Sequence, residues 1–457
     1  MTMLLDRPAA DTPMRPHRTP HPFRAESLRG VVPWSGLALV LALAWALAAK
    51  AAEWQGSWAE TTRALSLVGV LLGGPLSLAA GCWQGGRERR RRTDELRACA
   101  ARPALAQFLT SALPTALWIV AAYAVTVAAA LLACAPYASP GGLVPTAFLG
   151  TAAVLMSCTL IGHVAGARVP WRLTAPVLAL AGYGTFGAFI TAAGPVRLLG
   201  PAPGYSPDHE VLAWWHPLLT AGWFLGLALA VTAAHAARRR WTTLVPLAVA
   251  LSTALVLSGT SDTMAQRDPR AGHQVCTRTT TPQICVNATR SALLPEVTRA
   301  LSNLTGRLKD VRNLPVRFED LHRRPHADET ALPMLTPFGW TVVRGRIADP
   351  DHYAWEAAVT LVEGSDCANA TTGRVRTVDD AVVRWLAPTD GQESMRKKSL
   401  KDARAERDRA ELRRLKAEQR TYDHLRSMTT AERHAWLTSY FEPADRCART
   451  ASEVPAL

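Results

Sequence analysis

The chain has 457 residues, with 51 Lys and Arg against 37 Asp and Glu, a formal net charge of +14. Residues 1–260 hold 20 basic and 10 acidic residues, whereas residues 261–457 hold 31 and 27. The basic residues of the first part form short groups between long apolar runs, not one solvated face. This pattern indicates membrane topology and argues against a nucleic-acid partner.

Seven runs of about 20 residues lack Asp, Glu, Lys and Arg, and a helix of that length crosses the hydrocarbon core of a bilayer. Globular cores rarely produce seven such runs in so short a stretch. The pattern therefore predicts an all-α polytopic membrane helix bundle over residues 31–260, after a cytoplasmic tail over residues 1–30. The runs are Val31 to Ala49, Ala64 to Trp83, Phe108 to Ala135, Leu143 to Gly166, Leu173 to Ala193, Leu212 to Ala236 and Thr242 to Thr260.

The basic residues between the runs predict an orientation. With a cytoplasmic N-terminus, 17 basic residues fall on the inner side, and the outer loops hold only Lys50, Arg63 and Arg197. Short loops rich in Lys and Arg stay in the cytoplasm. The odd number of spans then places residues 261–457 outside, in a multi-pass protein of the cell membrane.

The absence of charge inside the runs bears on mechanism. Ion-coupled carriers usually place a carboxylate or a cation within the membrane. The runs have no Asp, Glu, Lys or Arg, and His163 and His235 near span ends are interpreted as interface residues, with a proton relay as the alternative. The membrane part is therefore interpreted as a passive path or a mechanical element, with energy supplied by another subunit. Gly182, Gly184 and Gly187 predict close helix approach in the fifth run.

The most distinctive segment lies between the second and third runs, from Gly85 to Leu96, and is predicted to be a basic helix at the cytoplasmic face. Two interpretations stay open. The arginines either only hold the loop inside, or they form a docking helix for a cytoplasmic motor or a contact with anionic lipid heads. The residues of the docking hypothesis are Arg87, Arg89, Arg90, Arg91, Arg92 and Glu95.

Residues 261–457 predict a mainly helical α+β domain. Leu293 to Val311 has helical spacing, Val316 to Phe318 and Trp340 to Ile347 are strand-like, and Asp390 to Met428 is predicted as one long charged helix. Thr429 or Thr430 is expected to cap a final helix, with Glu432 near its third position.

Four of the eight cysteines, Cys276, Cys285, Cys367 and Cys447, lie in this domain. An even count in an oxidising compartment predicts disulfides, and four cysteines allow three pairings. We favour Cys276 with Cys285, which leaves Cys367 with Cys447. A metal site is the competing interpretation, but the spacing lacks a close CxxC or Cys/His pair.

Sequence motifs for chemistry are missing. There is no GxxxxGK[ST], HExxH, GxSxG or CxxC pattern. We therefore expect that the chain is not an enzyme, that it uses no cofactor and that it binds no metal.

Several short segments together resemble actinobacterial ATP-binding-cassette (ABC) transporter permease subunits. They are Gly74-Pro75-Leu76, the block from Gly86 to Leu96, Arg24 to Gly30, the surroundings of Cys276 and Cys285, and Ala431 to Cys447. Arg24 to Gly30 is similar to the amphipathic entry helix of those permeases. Six spans are usual in the wider class, and this chain has seven with a large outer domain.

The resemblance implies that Arg87 to Leu96 contacts a separately encoded ATPase. It also implies that two protomers, identical or different, form the path through the lipid. The alternative hypothesis is a non-transporting membrane protein whose outer domain binds a ligand or a cell-envelope partner. The substrate is not indicated by either.

Overall fold

The computed structural model contains seven helices that are long and apolar enough to cross a membrane, which confirms the predicted count. The first to seventh spans are Val32–Ala49, Trp58–Gly85, Ala104–Cys134, Pro145–Arg168, Thr174–Thr191, His216–Ala236 and Trp241–Ser258. The structure describes residues 22–28, 30–92, 103–202, 204–207, 209–237, 239–260, 263–321, 323–326, 328–335, 341–363, 374–442 and 454–455.

The second span is the least regular of these helices. It consists of an α-helix over Trp58–Val68, a π-helical turn over Gly69–Gly73 and a second α-helix over Gly74–Gly85. Pro75 lies at the start of the second α-helix and has no N–H to donate to the carbonyl one turn earlier. The wider π turn accommodates the proline within a continuous span.

Glycines let the second and fourth spans pack backbone against backbone. A Cβ added to Gly81 would lie 2.1 Å from the carbonyl oxygen of Thr159, and one added to Gly85 would lie 2.1 Å from that of His163. A glycine of the fourth span makes the same kind of contact with the second span, because a Cβ on Gly166 would lie 1.9 Å from the carbonyl oxygen of Cys82. Only glycine permits this separation.

The expectation of close approach along the fifth span is wrong for two of its three glycines. A Cβ on Gly182 would meet the side chain of Leu78 at 2.5 Å, but one on Gly184 or Gly187 would meet nothing within 4 Å. The fifth span is little buried along its length, so these two glycines face away from the other spans.

The bundle has two chemically distinct ends. The basic end carries the helix Arg87–Arg91 and the connections over residues 169–173 and 237–240. The domain end carries the connections over residues 50–57, 135–144 and 192–215. Ser139 accepts a hydrogen bond from the backbone N–H of Ala292 (3.1 Å), and Arg270 donates to the carbonyl of Pro140. The C-terminal domain therefore sits on the end opposite the basic helix.

The strands of the C-terminal region form three small sheets. Strand β1 (Glu210–Leu212) pairs antiparallel with β2 (Ala265–Arg267) and joins the connection between the fifth and sixth spans to the domain. A four-stranded sheet has the order β3–β4–β5–β6, and β7 pairs antiparallel with β8. Their bounds are Gln274–Cys276, Gln283–Asn287, Arg317–Glu319, Glu329–Ala331, Val342–Val343 and Arg346–Ile347.

Of the seven α-helices described in this domain, six share one apolar core with the sheet, and the helix Asp390–Ala405 packs against Arg409–Ser427. Phe318 of the sheet, Tyr353 and Leu437 are buried together in that core. The helices are α1 (Leu294–Ala300), α2 (Ser302–Arg307), α3 (Pro350–Glu363), α4 (Arg374–Leu386), α5 (Asp390–Ala405), α6 (Arg409–Ser427) and α7 (Thr430–Tyr440). The domain is thus mainly helical with some strands, as predicted.

Two predicted helices are each split in the structure. The long helix from Asp390 to Met428 is wrong as one element, because Arg407 adopts a left-handed conformation (φ 60°) between α5 and α6. The side chain of Asp408 then caps α6 by accepting from the N–H groups of Ala410 and Glu411. The predicted helix over residues 293–311 is likewise divided at Leu301 into α1 and α2.

The disulfide between Cys276 and Cys285 is confirmed. The two residues lie directly opposite each other in the β3–β4 hairpin, so the bond crosses its two strands. Cys367 and Cys447 lie outside the described residues, and their pairing stays a prediction. Among the side chains that the structure does place, no group of three or more His, Cys, Asp or Glu could hold a metal ion.

Candidate functional site

The basic helix, Arg87–Arg91, follows the second span after Gly86. Gly85, the last residue of the second span, packs directly against the fourth span, and Gly86 is buried. The helix is shorter than the segment predicted up to Leu96, because Arg92 adopts a left-handed conformation (φ 57°) that ends it. Glu95, the last residue of the docking hypothesis, lies outside the described residues.

Arg87 fixes this helix to the entry helix, Pro22–Leu28. Its guanidinium donates two hydrogen bonds to the carboxylate of Glu26, at 2.6 and 2.7 Å. Paired charge-assisted bonds of this kind hold both position and orientation. The entry helix is also tied to the third span, because the indole Nε1 of Trp118 donates to the carbonyl of Ser27 at 2.9 Å.

The other arginines differ in how firmly they are held. Arg89 is half-buried and donates to the carbonyl of Ala167 at the end of the fourth span. Arg90 is exposed, but it donates to the carbonyl of Trp83 and lies over the ring of that residue, with its guanidinium 4.3 Å from the ring centre. Arg91 and Arg92 are also exposed. Arg90 to Arg92 therefore form a cationic surface on a helix that Arg87 and Arg89 hold in place.

A buried ion pair lies near the opposite end of the second span, and sequence reasoning missed it. The helix of this span begins at Trp58, ahead of the predicted Ala64, and so contains Glu60 and Arg63. The side chain of Glu60 is only 4% exposed, and the Nε of Arg63 donates to it at 3.0 Å. The i,i+3 spacing of opposite charges just before an apolar run is the signal that would have found the pair.

A second candidate site is the C-terminal groove, a cavity of about 520 Å³ between α3, α4, α5 and α6. Opposite charges are paired along it. Arg414 contacts Asp380 at 2.7 Å. Arg384 pairs with Glu393, and its guanidinium lies 3.9 Å from the centre of the Tyr422 ring.

The carboxyl groups of the groove are not equivalent. Burial raises the pKa of Asp380, against the opposing effect of Arg414. Burial and the charge of Asp380 also raise the pKa of Glu418. Burial acts in the same direction on Glu393, but the hydrogen bonds and charges of Arg384 and Arg396 together outweigh it and lower the pKa of that carboxyl. The groove therefore becomes more positive as the pH falls, because Asp380 and Glu418 are neutralised first.

Comparison with family models, with curated proteins and with solved structures found no match for this chain. The resemblance to ABC transporter permease subunits therefore stays a prediction.

Proposed function

We propose that this chain is the membrane subunit of an ATP-driven transporter, energised by a separate ATPase that docks on Arg90 to Arg92. The observation that carries this proposal is the attachment of the basic helix. Arg87 holds it to the entry helix, Arg89 holds it to the fourth span, and Gly85 locks its root in a close backbone contact. A force applied to such a helix moves the spans instead of bending a loop.

The proposed orientation puts the basic end in the cytoplasm and the C-terminal domain outside. The support is the segregation of charge together with the contacts of the domain. The described contacts of the domain are with connections that are poor in positive charge, such as residues 135–144, whereas the arginine groups lie at the other end. Retention of short arginine-rich segments in the cytoplasm explains this arrangement.

In the proposed mechanism, the chemistry of ATP belongs to the partner and this chain converts a movement of the ATPase into a movement of helices. The second and fourth spans would move as one unit, since their backbones are in contact at Gly81 and Gly166. The π-helical turn over Gly69–Gly73 lies midway along that unit and is the natural place for it to bend.

A second protomer, identical or different, is part of the proposal, as are membrane lipids. The fifth and seventh spans bury only 17% of their apolar windows inside this chain. Their remaining surface faces lipid or the corresponding spans of a partner subunit.

The docking hypothesis is tested by searching the genes next to this one for a phosphate-loop ATPase and co-expressing that ATPase with the chain. The test variant carries Gln at Arg90, Arg91 and Arg92, which leaves the structural arginines Arg87 and Arg89 intact. The control removes the same number of charges from exposed positions of the C-terminal domain, Arg404, Arg407 and Arg409. Wild type and control are expected to retain the ATPase on purification, and the test variant to lose most of it. Equal retention by both variants would contradict docking at this surface.

The second candidate function, a membrane protein whose C-terminal domain binds a ligand, is favoured by the C-terminal groove. Its volume is within the range of about 300–1,000 Å³ typical of small-molecule sites, and four arginines and four acidic residues line it. The Arg384→Trp substitution is designed to block the groove. If no ATPase associates with the chain and this substitution abolishes the cellular phenotype of the protein, ligand binding replaces ATP-driven transport as the proposed function. A phenotype unchanged by Arg384→Trp would contradict it.

A further inference from the structure

A cavity of about 130 Å³ lies among the domain ends of the second, fourth, fifth and sixth spans. The loop that carries Pro201 and Tyr205 lines one side of it. Its volume is close to that of an engineered cavity of about 150 Å³ that binds benzene, so it admits a small polar head with a short apolar portion. Neither the basic helix nor the C-terminal groove contributes to it.

The cavity holds a buried polar group whose hydrogen-bonding capacity is unused. His216 opens the sixth span and is 1% exposed. Its Nε2 has no hydrogen-bond partner among the residues that the structure describes. Leaving such a group unsatisfied costs roughly 1–3 kcal/mol, so a site of this kind is expected to receive its partner from outside the chain.

Among the described residues that line the cavity, the one charged side chain is Arg63. Its guanidinium is paired with Glu60, whose side chain is only 4% exposed and is not part of the lining. The ion pair therefore turns its hydrogen-bond donor side toward the cavity. The phenol of Tyr205 is on the same wall, and burial together with the nearby Glu60 carboxylate raises its pKa, so that it stays a neutral donor.

Most of the remaining lining is apolar. Leu67, Ala147, Ile190 and Pro217 supply it from four different spans. A ligand that satisfies both halves of the cavity has a polar head that accepts hydrogen bonds beside Arg63 and His216, and an apolar portion among these side chains.

We propose that this cavity binds an anionic amphiphile, with its carboxylate or phosphate head at Arg63 and His216 and its hydrocarbon portion between the spans. The site does not depend on docking of an ATPase, so it stands or falls separately from the proposed function. A lipid head group and a free anion share this head chemistry, and the experiment below distinguishes them.

The test uses the full-length chain in phosphatidylcholine nanodiscs and two photoreactive probes of equal chain length, a diazirine decanoic acid and the matching decanol. Cross-linked peptides are located by mass spectrometry. We expect the acid to label peptides of residues 201–220 about fivefold more than the alcohol, because charge-assisted hydrogen bonds are the stronger ones. Inorganic phosphate at millimolar concentration should not displace it. Equal labelling by acid and alcohol, or displacement by phosphate alone, would overturn the proposal.

Substitutions assign the roles of the two polar residues. His216→Phe should reduce acid labelling by about tenfold, and His216→Gln, which keeps a donor, should restore part of it. His235→Phe, at the other end of the same span, is the matched control. The double variant Glu60→Gln with Arg63→Gln avoids an unpaired buried charge and should abolish the preference for acid over alcohol. Persistence of that preference, or unchanged labelling in a monodisperse His216→Phe protein, would refute the assignment.

Discussion

Replacing Gly85 by Ala tests whether the second and fourth spans form one mechanical unit. The new Cβ would lie 2.1 Å from the carbonyl oxygen of His163, whereas Cβ atoms essentially never come within 3.0 Å of such an atom. The two backbones must therefore separate by about 1 Å, since a main-chain carbonyl cannot rotate away as a flexible side chain can.

The cost follows from two opposing effects. Overpacking a close interface costs typically about 1–3 kcal/mol. Alanine recovers up to about 1 kcal/mol of helix propensity relative to glycine. We therefore expect a net destabilisation of roughly 1–2 kcal/mol, and the same for Gly166→Ala, whose Cβ would lie 1.9 Å from the carbonyl oxygen of Cys82.

The assay is thermal unfolding of the purified chain in detergent, followed by intrinsic fluorescence, with ATPase retention measured in parallel. Gly184→Ala is the matched control, because a Cβ there meets nothing within 4 Å. The control should keep or slightly raise the Tm, whereas Gly85→Ala and Gly166→Ala should lower it by several degrees. If all three variants unfolded alike, the close packing of the second and fourth spans would be refuted.

Three further predictions concern the C-terminal domain. Replacing Cys276 and Cys285 by Ser should lower its free energy of unfolding by roughly 2–3 kcal/mol, because the bond closes a short loop; unchanged denaturant midpoints would contradict this. The hydrogen bond from Arg323 lowers the pKa of Glu329 to about 2. Its stabilisation is present above the unfolded-state pKa near 4.5 and is lost as the pH falls toward 2. Over that pH range the wild type should thus lose at most about 3 kcal/mol more free energy of unfolding than Glu329→Gln does. Solvent screening of the half-exposed Arg323 makes the expected loss smaller than this limit. Parallel profiles of unfolding free energy against pH for the two proteins would disprove it. Thr429→Ala should cost about 1 kcal/mol in thermal unfolding through loss of the capping box of α7, a loss that Thr430→Ala should not reproduce.

The spans were predictable because lipid imposes a length and a composition that the sequence displays directly. The same rule left Glu60 and Arg63 out of the predicted second span. A run that is counted from its first uncharged residue stops at Arg63, although the helix continues to Trp58, with Glu60 buried and paired to Arg63. Whether a charge at a span end is in water or paired inside the protein depends on its neighbours in space.

The helix contacts were not predictable from composition. Gly182, Gly184 and Gly187 lack the four-residue spacing of the GxxxG motif, whereas Gly81 and Gly85 of another span, where the close contact forms, have it. A glycine permits close approach but does not select the partner. The selection depends on the path of the whole helix, including its π-helical turn.

The hairpin disulfide was accessible from sequence, because a short loop between two strand-like segments brings Cys276 opposite Cys285. The break between α5 and α6 carried a weaker signal. Neither Gly nor Pro marks it, and only the capping residue Asp408 does, inside a segment where most residues favour helix.

The side of the membrane on which the C-terminal domain lies tests the proposed function most directly. The proposed docking and the proposed orientation both require this domain to lie outside the cytoplasm. A reporter that is active only outside the cytoplasm is fused after Leu457, and the same reporter is inserted after Arg172 at the basic end. We expect reporter activity from the first fusion and none from the second. Activity at Arg172 with silence at Leu457 would invert the bundle, placing Arg90 to Arg92 outside the cell and beyond the reach of any cytoplasmic ATPase.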